Sequence, residues 1–134
     1  STPDARRRYI ATFYGSRFWA HPGTFDQEAV DFHTEPFANA EVLRASFGGY
    51  ETVFNASKNS DSTMMGRNEK TPTLILFGPS DHVIYPAFDQ MAAVVFDKHV
   101  GPYLLRDCGH FVPWESPHAL VSGTIALCAD LLSK

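Results

Sequence analysis

The chain has 134 residues, 44% of them hydrophobic, enough for one modest domain with a core and too apolar for a disordered tail. Its formal net charge of -4 argues against a nucleic-acid surface, and its one basic run, Arg6-Arg7-Arg8, reads as a solvated helix face. No stretch approaches the roughly 18 apolar residues of a membrane span, and Cys108 and Cys128 make neither a disulfide framework nor a metal pattern, which suits reduced thiols in the cytoplasm.

The N-terminal text has no apolar run after its charges, so no signal peptide is expected, and the absence of an initial Met hints at a processed or truncated chain. Residues 3 to about 57 read as helical. Thr2-Pro3-Asp4 supplies a capping hydroxyl, Pro in the first turn and an acid. Tyr9, Ile10, Phe13, Tyr14 and Trp19 follow at three- and four-residue spacing, and His21-Pro22-Gly23 is expected to stop this helix. Thr24 is expected to cap a second helix through Phe25, Val30 and Phe32, broken at Glu35-Pro36. Asn39 to Phe47 makes a third, and beyond the Gly48-Gly49 interruption Tyr50, Val53 and Phe54 continue. Residues 58–70 are polar and without period, and read as a linker.

Residues 71–134 have another texture. Thr73–Phe77 is an unbroken apolar run ended by Gly78-Pro79, the pattern of a parallel strand buried on both faces. Tyr85-Pro86 is expected to open a helix with Phe88, Met91, Ala92, Val95 and Phe96. Gly101-Pro102 reads as a turn into a short strand, Tyr103–Leu105, and Asp107 to Glu115 as a loop. Ser116-Pro117 caps a last helix containing Leu120, Ile125, Leu127, Leu131 and Leu132. The order strand, helix, strand, helix predicts an α/β fold with a mostly parallel, doubly wound sheet.

In such a sheet, functional residues sit just past the carboxyl ends of the strands. Gly78-Pro79-Ser80-Asp81 follows the first strand and Asp107-Cys108-Gly109-His110 follows the second. If the strands are parallel neighbours, Asp81 and His110 meet. Singly, each has a plainer reading: Asp81 as a turn or cap residue, His110 as an exposed loop histidine. Together they supply an imidazole to act as base and a carboxylate to hold its tautomer. Phe13, Phe18, Trp19, Phe111 and Trp114 are candidates to line an apolar pocket, although aromatics at helical spacing are more often core. Glu115 reads as a helix-start carboxylate rather than a second acid. No metal-binding spacing and no nucleotide-binding glycine motif occurs, so no cofactor is expected.

Thr-Pro-Thr-Leu-Ile-Leu-Phe-Gly-Pro-Ser-Asp-His-Val-Ile, followed by Asp-Cys-Gly-His-Phe-Val-Pro-Trp-Glu-Ser-Pro, resembles the C-terminal signature of α/β-hydrolases, closest to the epoxide hydrolase and haloalkane dehalogenase branch. The resemblance covers residues 71–134 strongly and residues 3–57 more faintly. It implies a helical cap over residues 1–57, a linker over 58–70 and the C-terminal part of the hydrolase core over 71–134. It assigns Asp81 as the acid and His110 as the base. Leu43-Arg44-Ala45-Ser46-Phe47-Gly48-Gly49-Tyr50 looks like the cap segment that supplies a tyrosine in epoxide hydrolases, implying that Tyr50 donates to the epoxide oxygen; its plainer reading is cap core beside Phe47 and Phe54. Trp19, Phe111 and Trp114 would join Tyr50 in binding a small apolar substrate.

The nucleophile of this fold sits on a sharp strand-to-helix elbow, with Asp for Ser in epoxide hydrolases and dehalogenases. Neither Gly15-Ser16-Arg17 nor Ser46-Phe47-Gly48-Gly49 follows a strand, so the family order implies an elbow upstream of Ser1. The chain alone is then expected to be inactive, and to need the N-terminal half of the hydrolase or another copy of itself to cover its strands. An esterase, a haloalkane dehalogenase and a non-catalytic binding module of the same fold are the alternatives.

Overall fold

The computed structural model describes residues 1–55, 66–84 and 86–129. The chain divides into two compact units, Ser1–Gly15 with Phe25–Met65, and Ser16–Thr24 with Gly66–Lys134.

The first unit is helical: α1 (Pro3–Gly15), α2 (Gln27–Thr34), a 3-10 turn (Glu35–Ala38), α3 (Ala40–Ser46) and α4 (Gly48–Phe54). The Thr2 hydroxyl accepts the Ala5 N–H at 3.2 Å, the cap expected of it. α1 ends at Gly15, earlier than His21-Pro22-Gly23, because the Ser16 hydroxyl accepts the Phe18 N–H at 3.2 Å and turns the chain away. Thr24 does not cap α2. Asp26 does so, accepting the Ala29 N–H at 2.8 Å, and the Thr24 hydroxyl is committed within the other unit. Asn39 caps α3 through the Glu41 N–H at 2.8 Å. Gly48-Gly49 begins α4 rather than interrupting a helix. Ile10, Ala29 and Thr34 are the buried residues here. Arg6 departs from a solvated face: its Nε donates to the Ala38 carbonyl at 3.0 Å, closing the C-terminal end of the 3-10 turn.

The second unit contains β1 (Thr73–Phe77), α5 (Phe88–Val95), β2 (His99–Leu104), α6 (Val112–Glu115) and α7 (Pro117–Leu127). β1 and β2 pair in parallel, so the chain is mixed α/β, with helices and a two-stranded parallel sheet. Ile75 and Phe77 of β1 are buried, whereas Leu74 and Leu76 are only half-buried, so one face is covered more fully than the other. β2 starts earlier than expected and runs through Gly101-Pro102. Leu74 pairs with Val100 and Leu76 with Tyr103, leaving Gly101 and Pro102 opposite Ile75 as a bulge. Pro102 has no N–H to give to the ladder, and the bulge lets the strand pass it.

α5 begins at Phe88, with Tyr85 outside the described residues, and packs on both strands; α7 packs on β1 where Gly123 meets Leu74. The expected loop from Asp107 to Glu115 contains the short α6, and Pro117 opens α7 as its first residue while the Ser116 side chain makes no cap bond. Leu131 and Leu132 lie outside the described residues. So do residues 58–65 of the expected linker; beyond them Asn68 forms a parallel bridge with Phe96. Among the described residues no helix is long and apolar enough to cross a membrane.

Ile75 is 5% exposed, on the strand that contacts β2, α5 and α7. Ile75→Ala is expected to lower stability by about 2–5 kcal/mol through lost burial and a residual cavity. Equilibrium urea unfolding checks this, and a loss below about 1 kcal/mol would place β1 outside the core.

Candidate functional site

Parallel pairing ends both strands on one edge, and there the two loops interlock through the backbone. The Ser80 N–H donates to the Cys108 carbonyl at 3.0 Å, and the Leu105 N–H to the Phe77 carbonyl at 2.8 Å. Ser16–Thr24 joins the same edge: His82 donates to the Phe18 carbonyl at 2.9 Å, and His110 to the Trp19 carbonyl at 2.7 Å. These approaches leave no room for a side chain at two positions. A Cβ on Gly78 would stand 2.2 Å from the Gly109 carbonyl oxygen, and one on Gly109 would stand 2.5 Å from that of Trp19.

Asp81 and His110 meet as expected from their positions. His110 Nδ1 lies 2.9 Å from Asp81 Oδ2. A carboxylate only accepts, so the shared proton belongs to Nδ1 and the lone pair to Nε2. Oδ1 of Asp81 accepts the Val83 N–H at 2.9 Å and the Ile84 N–H at 3.2 Å, which fixes the carboxylate in its own turn. The Asp81 side chain is 4% exposed and that of His110 is 31% exposed, so a buried acid backs an accessible imidazole. This arrangement can take a proton at Nε2 and stabilise the resulting imidazolium.

Trp19 and Phe111 flank the base. Both rings stand edge-on to His110, at 4.8 Å and 5.3 Å between centroids, and they lie 6.4 Å from each other. Trp114 is 43% exposed on α6, and Phe18 is 66% exposed. Tyr50 belongs to the helical unit, on α4, where it is exposed and stacked on Phe54. A cavity of about 770 Å³ opens beside Asp81, lined also by Phe77, His82, Ile84, Gln90 and Leu104; Trp19, Phe111 and Trp114 are not on its wall.

Sequence reading undervalued Glu115. It is the acid of the first turn of α6, as expected, and also the last residue of that single turn, and its carboxylate turns back on the histidine loop. Oε2 accepts the Gly109 N–H at 3.0 Å and the Phe111 N–H at 2.9 Å. Oε1 accepts the His21 N–H at 2.6 Å and shares the single Thr24 hydroxyl proton, at 3.1 Å, with the nearer His21 carbonyl at 2.7 Å. The only available signal was its separation from His110, five residues on, which does not reveal a turn that brings it back. His21 was read only as part of a helix stop; its Nδ1 is 2.9 Å from the Ser80 hydroxyl and its Nε2 3.8 Å from Asp107. Among the described residues, no group of three or more His, Cys, Asp or Glu could hold a metal ion.

Cys108 lies fully buried beneath these loops. Burial first, and the Glu115 charge second, push its thiol up to about 11 from the ordinary 9.0. The folded state therefore prefers the thiol. That preference is fully present below pH 9 and is lost as pH rises towards about 11, so Cys108 contributes a decline in stability across this window. At pH 8, iodoacetamide followed by mass spectrometry is expected to label Cys128 and spare Cys108 until urea unfolds the chain. Gly78→Ala and Gly109→Ala are each expected to force the loops apart; thermal unfolding unchanged from wild type would contradict the close approach.

No model of a known protein family matches the chain, and no curated protein matches it.

Proposed function

We propose that this chain supplies the acid and base of an α/β-hydrolase, as the C-terminal part of its core with a helical cap segment, and that the reaction is opening of a small apolar epoxide. The observation that carries the reading is the hydrogen bond from His110 Nδ1 to the buried Asp81 carboxylate, formed between the loops that follow two parallel, adjacent strands. The resemblance of residues 71–134 to the hydrolase signature, and of the segment ending at Tyr50 to an epoxide-opening cap, supports the choice of chemistry.

In this mechanism an aspartate outside these 134 residues attacks an epoxide carbon. The C–O bond of the ring breaks, an ester forms, and Tyr50 donates to the developing alkoxide. His110 Nε2 then takes a proton from water as its oxygen adds to the ester carbonyl, and Asp81 stabilises the imidazolium. The adduct collapses as the ester C–O bond breaks, the imidazolium gives its proton to the departing oxygen, the second water proton restores Tyr50, and the diol leaves with the carboxylate regenerated. The nucleophile and further strands come from another segment of the protein or another chain. Exposed apolar side chains on the second unit support such a partner: Val94 is 72%, Leu104 60% and Val121 56% exposed. The reaction needs no cofactor, and reduced Cys108 and Cys128 suit the cytoplasm.

The test is turnover of epoxide, ester and haloalkane substrates by the protein together with its nucleophile-bearing part. Asp81→Asn is expected to lower turnover on the order of 10⁴-fold, by releasing the imidazole tautomer. His110→Ala is expected to stop turnover and accumulate the covalent ester, visible as a mass increase equal to that of the epoxide. Unchanged turnover in His110→Ala removes the assignment.

A further inference from the structure

We infer that Glu115 is the positioning residue of His110, a carboxylate clamp that sets the imidazole by holding the backbone on either side of it. The inference rests on the hydrolase reading for its kinetic consequence, but its geometry stands apart from it. Glu115 accepts the N–H of Gly109 and the N–H of Phe111, the two residues that bracket His110. Through its other oxygen it accepts the His21 N–H and shares the single Thr24 hydroxyl proton with the nearer His21 carbonyl, both residues belonging to Ser16–Thr24. The His110 N–H meanwhile donates to the Trp19 carbonyl of that same segment. The histidine backbone is thus tied to Ser16–Thr24 directly and, through one carboxylate, from both flanks.

This is a different role from that of Asp81. Asp81 holds the ring through Nδ1; Glu115 touches no ring atom and fixes where the Cα–Cβ bond starts. Both flanking N–H groups belong to residues of which Gly109 is buried and Phe111 half-buried, so water is a poor substitute for the carboxylate. Charge matters as well as shape. Charge-assisted bonds to N–H donors are stronger than neutral ones, and several donors converge on this one group. Glutamine has nearly the same shape, but one of its two terminal atoms is a donor. Whichever way its amide turns, an N–H of the clamp faces another N–H.

The experiment is nitrogen NMR of the His110 side chain, with steady-state kinetics of the protein together with its nucleophile-bearing part, in wild type, Glu115→Gln and Glu115→Asp. Wild type is expected to show one tautomer, protonated at Nδ1. Glu115→Gln is expected to mix the tautomers and to lower kcat about 10²-fold with little change in KM, the scale of a misplaced reacting group. A folded Glu115→Gln protein that retains the wild-type tautomer and kcat overturns the clamp. If Glu115→Gln does not fold, Glu115→Asp decides: it keeps the charge but draws it back by one methylene. An intermediate loss supports the clamp, and wild-type values overturn it. Because the spectra need no substrate, mixed tautomers in Glu115→Gln beside a wild type that stays without turnover even together with its nucleophile-bearing part would support the clamp and sink the hydrolase reading instead.

Discussion

Parallel pairing of β1 with β2 is the constraint from which the rest of the second unit follows. It sends both strands out of the sheet at the same edge, and the loops after them must then share that edge. Their backbones come within hydrogen-bond distance, as between Ser80 and Cys108, and side chains are squeezed out at Gly78 and Gly109. Loops packed this closely bury peptide groups that water cannot reach, and each such group needs a partner within the protein. Ser16–Thr24 meets part of that need with the carbonyls of Phe18 and Trp19.

Two carboxylates meet much of the remainder, in different ways. Asp81 is satisfied mainly by its own turn, through Val83 and Ile84, which leaves one oxygen to accept the hydrogen bond from His110 Nδ1–H. Glu115 draws its donors from distant stretches of chain, so its place exists only once those stretches have come together. A locally formed acid and a tertiary clamp are a sound division of labour for a proposed general base. The ring partner is held within its own turn, whereas the backbone position depends on the finished fold. Cys108 records the same environment: the burial that seals the loops, with the charge that ties them, holds its thiol protonated.

The helical unit is loosely covered by comparison. Phe54 is 80% and Phe32 68% exposed, and its helices are short, fixed by caps such as Thr2, Asp26 and Asn39 as much as by burial. Exposed apolar surface on such an element suits contact with further protein.

What was legible in the sequence was local. The apolar run at Thr73–Phe77 marked β1, the Thr2 cap marked one helix and the text from Asn39 to Phe47 another, and Asp81 and His110 were recognisable because each follows a strand. Short-range chemistry decides these features, and the sequence carries it in full. The strand through Gly101-Pro102 was misread because turn residues and a bulge look alike until a partner strand shows where the ladder resumes. The early end of α1 and the transfer of Thr24 away from α2 turned on where those groups found their partners. Above all, the role of Glu115 was invisible. By itself the sequence determined which residues could act as acid and base; only the tertiary structure decided how the base is held, because the carboxylate that brackets His110 gathers donors separated from it by as many as 94 positions along the chain.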